Sequence, residues 1–174
     1  SGGNGVFTLN NGVFTTIATE MHAPVTFTRG TGQIYLNSTL YSRTSEFNNL
    51  AFNTVSGTGG AVTVVSTIGG GTSGNTTALG DISLSSVSNL SFAAGISAKS
   101  LVSLGGTGSI TLATNSSTAQ HYNGANGLQL SSSSASALSV NMNATLTQSG
   151  APVSVSATGA TTQLTISGTT TTAG

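Results

Sequence analysis

Charged side chains are almost absent from this chain of 174 residues. Aspartate, glutamate, lysine and arginine together number six, or 3% of the residues, whereas about a quarter of an ordinary soluble domain is charged. Serine and threonine supply the polarity instead and make up about a third of the sequence. Charges on edge strands are a common means by which β proteins avoid pairing with one another. A β-rich chain without them is expected either to cover its strand edges or to use them for self-association.

The charge balance restricts the kinds of partner. The formal net charge is zero and the sequence pI is about 6.7, whereas a nucleic-acid-binding domain needs a basic surface. So few basic residues cannot form a basic surface, and they cannot hold the protein on an anionic membrane surface. No apolar run approaches the roughly 20 residues of a membrane span. We therefore expect neither a nucleic-acid partner nor a transmembrane segment.

Side chains suited to catalysis or metal binding are few and dispersed. The carboxylates stand at Glu20, Glu46 and Asp81, and there is no cysteine. Neither the several carboxylate oxygens of a calcium site nor the clustered ligands of a zinc site are therefore available. His22 stands close to Glu20, but a polar loop before Pro24 accounts for the pair, and no nucleophile accompanies it. We expect no enzymatic activity, no metal and no cofactor.

Short runs of alternating apolar and polar residues predict an all-β chain. No segment shows an apolar period of 3.6 residues, and β-branched residues and glycine outnumber helix formers. In the second half, pairs of short strands separated by a polar spacer recur every roughly 20 to 27 residues, which is within the range of solenoid repeats. These pairs are 82–84 with 90–92, 101–104 with 110–112, 128–130 with 138–140, and 153–155 with 164–166.

Two segments carry a resemblance to secreted surface adhesins. Gly80-Asp81-Ile82-Ser83-Leu84 and Gly108-Ser109-Ile110-Thr111-Leu112 resemble the Gly-x-(Ile/Leu)-x-Leu rungs of filamentous-haemagglutinin-like β-solenoids. In composition the chain also resembles the disulfide-free β subunits of extracellular pili and threads. That second resemblance implies subunits that join by lending a strand to the sheet of the next subunit.

The strand pattern leaves two architectures open. We expect a β-sandwich with jelly-roll or immunoglobulin-like topology and strand exchange between subunits, with a β-solenoid as the alternative. The strands of a sandwich and the rungs of a solenoid give similar local patterns. The expected organisation is an N-terminal strand segment at residues 1–20 and a single β domain at residues 21–174, with a loose glycine-rich loop at residues 69–74.

The N-terminal segment is the candidate donor strand. It lies near a terminus, alternates apolar and polar residues, and repeats Asn-Gly-Val-Phe-Thr at residues 4–8 and 11–15. A segment added to an open sheet edge binds through main-chain hydrogen bonds, and its alternate side chains give specificity. Asn11-Gly12 is equally a hairpin signal, so a hairpin within the subunit is the competing interpretation. The candidate donor residues are Val6, Phe7, Leu9, Val13, Phe14, Thr15 and Ile17.

Asn-x-Ser/Thr sequences mark candidate N-glycosylation sites. A chain this rich in serine and threonine produces about four or five of them by chance. Attached glycans would replace charge as a solubilising coat, and the glycine-rich loop makes Asn75 the preferred site. The candidates are Asn37, Asn75, Asn89, Asn115 and Asn143.

These observations favour a structural role outside the cell. We expect a subunit of an extracellular homopolymeric filament, a pilus- or thread-like appendage assembled by β-strand complementation and serving adhesion or biofilm formation. The alternatives are the passenger of a β-solenoid adhesin and a viral capsid or fibre protein. The expected partners are further copies of the chain and a host surface or polysaccharide. Because the sequence opens with Ser1-Gly2-Gly3, we expect a secreted form from which a signal peptide has been removed.

Overall fold

The strands of the described chain run parallel to their neighbours. The computed structural model describes residues 5–8, 13–29, 33–54, 60–71, 75–85, 87–107, 110–112, 120–133, 138–141, 143–158, 164–167 and 170–172. The strands are β1 (Gly5–Thr8), β2 (Val13–Met21), β3 (Val25–Arg29), β4 (Ile34–Ser42), β5 (Leu50–Thr54), β6 (Val62–Val64), β7 (Leu79–Ser85), β8 (Leu90–Phe92), β9 (Ile96–Gly106), β10 (Ile110–Thr111), β11 (Gln120–Tyr122), β12 (Leu128–Ser132), β13 (Leu138–Asn141), β14 (Ala144–Leu146), β15 (Val153–Ala157), β16 (Leu164–Ser167) and β17 (Thr170–Thr172).

These strands wind into coils that have three faces. Face 1 is the sheet β1-β3-β5-β7-β9-β12-β15. Face 2 holds the first halves of β2 and β4, then β6, β8 and β10, together with the paired strands β13 and β16. Face 3 holds the second halves of β2 and β4, the bridging residue Ile68, the start of β9, and β11, β14 and β17. Each coil visits the three faces in order, and the described strands make seven coils. The coils are numbered by their face 1 strands, so that β1 begins coil 1 and β15 begins coil 7.

Long strands show where the chain turns a corner. In β9, Ile96 to Ala98 pair with β11 on face 3, whereas Leu101 onward pairs with β12 on face 1. The strand therefore bends between Ala98 and Leu101. This bend links the end of coil 4 to the beginning of coil 5.

The chain is a parallel β-solenoid, and the expected sandwich is wrong. Jelly-roll and immunoglobulin-like sandwiches are built from antiparallel strands, and here strands one coil apart pair in parallel. The hairpin interpretation of the N-terminal segment is also wrong, because β1 pairs with β3 and β2 pairs with β4. Asn11 and Gly12 themselves lie outside the described residues. The strand pairs anticipated in the second half are the face 1 and face 2 strands of coils 4 to 7.

The hydrophobic core lies inside the coils and is built from ladders of similar residues. Side chains alternate across a strand, so every second residue points inward. On face 1, the register places one inward residue from each of six neighbouring strands in a row, which forms a ladder across the coils. The four central members of this ladder are fully buried. Burial of each such side chain stabilises the fold by about 1.5–3 kcal/mol. The ladder runs through Val25, Leu50, Ile82, Leu101, Leu128 and Val153.

Coil length varies, and the loops at the corners absorb the difference. Leu50 pairs with Ile82, whereas Ile82 pairs with Leu101 only 19 residues later. The longer coil includes the 3₁₀ turn Gly69–Gly71, in the loop that the sequence marks as loose. Gly69 is buried in this turn, and a Cβ there would collide with the carbonyl oxygen of Ser97. The first part of that loop is therefore packed against β9, and residues 72–74 lie outside the described residues.

Candidate binding surface

The outward side of face 1 is a regular surface of the described solenoid. Six strands from β3 to β15 lie side by side, and at about 4.8 Å per strand they span about 24 Å. Apart from Asp81, which lies at the corner where β7 begins, their described outward side chains carry hydroxyl, amide or aliphatic groups. We call this set the face 1 surface. Its members are Thr26, Thr28, Ala51, Asn53, Ser83, Ser85, Val102, Leu104, Gln129, Ser131, Ser154 and Ser156.

Hydrogen bonds between coils hold polar groups of this surface in place. Ser85 Oγ donates to Asn53 Oδ1 at 3.0 Å, which joins β7 to β5. The backbone N–H of Gly105 donates to Ser131 Oγ at 2.9 Å, which joins β9 to β12. Because the strand spacing is regular, these side chains form rows across the surface. Such a surface presents hydrogen-bonding groups in preset positions.

The middle of the face 1 surface is apolar. Leu104 is 51% exposed, and it lies beside Ser85 in the register of β7 and β9. Val102, two residues earlier, faces the same way and is half-buried. An exposed leucine between hydroxyl-bearing strands gives the surface both hydrogen-bonding and apolar contact area.

The charges of the described part of the chain gather at one corner, between face 3 and face 1. We call this set the charged corner. Four of its members pair with a neighbour: His22 Nε2 lies 2.6 Å from Glu20 Oε1, and Arg43 Nη1 lies 3.5 Å from Glu46 Oε1. The charged corner consists of Glu20, His22, Arg43, Glu46, Asp81 and Lys99. Arg29, whose side chain lies outside the described set, ends β3.

The remaining corner charges are also satisfied within the protein. Lys99 Nζ lies 5.0 Å from the centre of the Phe47 ring, within the range of a cation–π contact. Asp81 Oδ1 accepts a hydrogen bond from Ser100 Oγ at 2.7 Å. Each side chain of the charged corner therefore has a contact within the described part of the chain.

A buried amide fixes the geometry of the same corner. Asn48 Nδ2 donates to the carbonyl oxygen of Met21 at 2.8 Å and to Glu46 Oε2 at 2.9 Å. The Asn48 backbone N–H donates to Ser42 Oγ at 2.8 Å. The hydrogen bonds of the Asn48 side chain reach both its own loop and the preceding coil. They therefore hold the loop between β4 and β5 against the end of β2.

Two titratable groups lie on face 3, away from the corner. Tyr122 points inward, and burial raises the pKa of its phenol well above the ordinary value. Its hydroxyl has no hydrogen-bond partner among the described residues. The neighbouring His121 points outward and has its pKa lowered by desolvation. The described residues hold no group of three side chains suited to a metal ion.

The structure places most candidate donor residues in the first coil. Val6 and Phe7 lie on β1, which pairs with β3, while Val13, Phe14, Thr15 and Ile17 lie on β2, which pairs with β4. Leu9 lies outside the described residues. The segment thus forms a coil of its own solenoid in this structure, and its donation to another subunit stays a prediction.

The candidate glycosylation sites differ in exposure. Asn37 and Asn89 are exposed, whereas Asn143 is half-buried just before β14. Asn75 is half-buried, and its Oδ1 accepts hydrogen bonds from the N–H and hydroxyl of Thr77, at 2.9 and 2.7 Å. Asn115 lies outside the described residues.

The sequence did not reveal that the charged side chains gather at one corner and leave the middle of the face 1 surface without charge. The available signal was positional: the chain carries no charged residue after Lys99 or before Glu20. Most of the charged residues between these two positions fall at the ends of predicted strands. They lie at a common corner only because the coils are stacked in register.

Comparisons with known proteins add no relative to this description. No family model, no curated protein and no solved structure matches the chain. Within the described residues, no helix is long and apolar enough to cross a membrane. The fold and its surfaces define the class as a three-faced parallel β-solenoid.

Proposed function

We propose that this chain is the adhesive rod of a cell-surface β-solenoid protein, and that its face 1 surface binds neutral polysaccharide. The observation that carries the proposal is the surface of six parallel strands, from β3 to β15, with its rows of hydroxyl and amide groups beyond Asp81 at the corner. The solenoid supports the adhesin interpretation in preference to a donor-strand pilus subunit. The extracellular location belongs to the same proposal.

The chemistry of the surface favours a neutral, hydroxyl-rich ligand. Sugar hydroxyls both donate and accept hydrogen bonds, as do the serine hydroxyls and the amides of Asn53 and Gln129. The exposed part of Leu104 offers contact to the apolar face of a sugar ring. Anionic polymers gain affinity mainly from basic side chains, and the face 1 surface has none. Binding should therefore depend little on salt.

The test is retention of the 174-residue chain on insoluble cellulose, chitin and β-1,3-glucan. An anionic dextran sulfate resin serves as comparison. We expect retention on at least one neutral polymer at both about 0.05 M and about 0.5 M salt, because no screened charge pair contributes. Retention on the anionic resin alone, or on no polymer, would contradict the proposal.

A matched pair of variants identifies the surface used. Ser83→Glu places a charge in the middle of the face 1 surface, and Thr111→Glu places the same charge at an exposed position of β10 on face 2. We expect Ser83→Glu to weaken retention about tenfold, which corresponds to about 1.4 kcal/mol. Thr111→Glu should leave retention unchanged. Equal losses from both variants would rule out face 1 as the binding surface.

A further inference from the structure

A β-bulge interrupts the regular pairing of β9 and β12 on face 1. Between residues 130 and 132 of β12 there is one residue, Ser131, whereas the matching stretch of β9 holds two, Leu104 and Gly105. Gly105 has a left-handed backbone there (φ +71°), and its N–H donates to Ser131 Oγ at 2.9 Å. A bulge changes the direction of a side chain, and bulges are frequent next to functional sites.

This bulge presents Leu104 to solvent in the interior of a sheet. Ser103 before it and Gly106 after it are both buried, so the two residues of the bulge are the exposed ones. Leu104 is 51% exposed although β7 lies on one side of it and β12 on the other. Gly105 does not cover it, because a Cβ on Gly105 would meet open space. The bulge therefore makes Leu104 an apolar contact point on the outward side of face 1.

Leu104 stands within a row of polar side chains that crosses six strands. The strand on each side contributes a serine to this row, Ser85 from β7 and Ser131 from β12. Each serine is one strand spacing, about 4.8 Å, from the leucine strand. We call this set the Leu104 row. Its members are Thr28, Asn53, Ser85, Leu104, Ser131 and Ser156.

Two polar members of the Leu104 row are oriented by the protein and keep donors for a ligand. Asn53 Oδ1 accepts the Ser85 hydroxyl at 3.0 Å, and the Asn53 side chain carries two further hydrogens on Nδ2. Ser131 Oγ accepts the Gly105 N–H, so its own O–H hydrogen is left over. Within the described residues, neither Asn53 Nδ2 nor the Ser131 hydroxyl donates a hydrogen bond. Donors therefore lie on both sides of Leu104.

We propose that the Leu104 row binds an extended chain of β-1,4-linked pyranose units with equatorial hydroxyls, as in cellulose and chitin, and that Leu104 determines this specificity. The inference rests on the proposed function, since it names the class of polysaccharide that face 1 would bind. In such a sugar the two ring faces carry only C–H bonds, and the hydroxyls lie around the rim. Leu104 would contact a ring face, while the polar groups on either side would bond the rim.

The dimensions of the row favour an extended chain lying across the strands. Its members are about 4.8 Å apart, close to the advance per sugar unit of a β-1,4-linked chain, so successive units would meet successive strands. Along a strand, outward side chains are about 6.6 Å apart, and β5 offers only Ala51 and Asn53 among its described outward residues. A β-1,3-linked chain of the same sugar winds into a helix, and it would not keep this correspondence over six strands.

The experiment compares binding of the 174-residue chain to insoluble cellulose, chitin and β-1,3-glucan. Cellulose and β-1,3-glucan contain the same sugar and differ only in linkage. Depletion isotherms give a dissociation constant for each polymer. We expect cellulose, chitin or both to bind at least roughly tenfold more tightly than β-1,3-glucan. Cellohexaose should compete for that binding at least roughly tenfold better than laminarihexaose, its β-1,3-linked counterpart.

Two substitutions at Leu104 test its role. Leu104→Ser removes the apolar contact and should weaken binding to the preferred polymer about tenfold. Leu104→Met keeps an apolar side chain and should bind within about twofold of the unmodified chain. Circular dichroism and thermal unfolding establish that each variant is folded. The ratio of the dissociation constants for the preferred polymer and β-1,3-glucan is a readout that partial unfolding would not move, since unfolding lowers binding to both polymers alike.

The outcomes separate this inference from the proposed function. Equal binding to all three polymers, a preference for β-1,3-glucan, or a Leu104→Ser variant with an unchanged ratio would overturn the specificity of the Leu104 row and leave polysaccharide binding in place. A Leu104→Met variant as weak as Leu104→Ser would also contradict the apolar contact. Binding to none of the three polymers would end both proposals.

Discussion

Phe27 and Phe52 stack across neighbouring coils, with ring centres 5.7 Å apart and ring planes inclined by 16°. Phe52 also meets Phe92 edge-on, with ring centres 6.5 Å apart. Phe52 is fully buried, so it joins face 1 to face 2 as well as coil 2 to coil 3. Aromatic pairs of these geometries contribute about 0.5–1.5 kcal/mol beyond the burial of their area.

Phe52→Ala should therefore destabilise the solenoid strongly. We expect the free energy of unfolding to fall by about 3–5 kcal/mol, because the substitution removes a buried ring and leaves a cavity between two coils. Urea unfolding followed by circular dichroism measures the change. Asn53→Ala, one residue along and exposed, should lower the free energy by only about 0.5–1 kcal/mol, because it removes one exposed hydrogen bond from Ser85. A Phe52→Ala loss below about 1 kcal/mol would mean that the coils repack around the missing ring.

Substitutions at two glycines distinguish the free-energy cost of backbone strain from the cost of a steric collision. Gly127 (φ +54°) and Gly105 (φ +71°) both have a left-handed backbone. A Cβ on Gly127 would collide with the Pro152 carbonyl oxygen of the next coil, whereas a Cβ on Gly105 would meet open space. Gly105→Ala should cost about 1 kcal/mol from the backbone alone. Gly127→Ala should cost about 3 kcal/mol, because overpacking adds to the same strain. Equal losses in thermal unfolding would show that the turn before β12 moves aside.

The sequence predicted the strands of this protein better than their arrangement. Alternation revealed the strands of face 1 and face 2 because their inward residues are large and apolar, as in 82–84 and 90–92. Face 3 was missed because its inward ladder changes from Leu40, Ile68 and Ile96 to Gln120 and Ala144. When one strand in three has few large apolar residues on its inward side, the sequence of a coil looks like two strands followed by a loop.

The parallel pairing of the strands could not be inferred from the local alternation of apolar and polar residues. A strand that is half-buried alternates in the same way in a sandwich and in a solenoid, so only the coil-length repeat distinguishes them. That repeat is obscured here, since Leu50 and Ile82 lie 32 residues apart and Ile82 and Leu101 only 19. The clustering of charges at one corner was likewise hidden, because it depends on which residues of successive coils lie beside one another.

Exposure predicts which asparagines can be glycosylated. When the chain is secreted from a host that attaches N-linked glycans, we expect modification at Asn37 and Asn89 and little at Asn75. A Cβ on Gly70 would collide with Asn75 Nδ2, so this nitrogen is packed against the turn and its amide oxygen is engaged by Thr77. Glycopeptide mass spectrometry gives the occupancy of each site. Full occupancy at Asn75 would show that the chain is modified before this corner folds.

The buried phenol of Tyr122 predicts a loss of stability in alkali. Burial raises its pKa in the folded protein above the value of about 10 in the unfolded chain. Above pH 10 the unfolded chain therefore binds fewer protons than the folded one, and the free energy of unfolding falls as pH rises. The contribution of Tyr122 is fully present below pH 10 and decreases by about 1.4 kcal/mol per pH unit above it.

Tyr122→Phe isolates this contribution. At pH 7 the variant should be as stable as the unmodified chain or slightly more so, because the hydroxyl has no hydrogen-bond partner among the described residues. By pH 11 the unmodified chain should have lost about 1.4 kcal/mol more than the variant, since the other titratable groups are common to both. Urea unfolding at pH 7, 9, 10 and 11 gives the comparison. A variant that loses more than about 1 kcal/mol at pH 7 would indicate that the Tyr122 hydroxyl is hydrogen-bonded inside the coil.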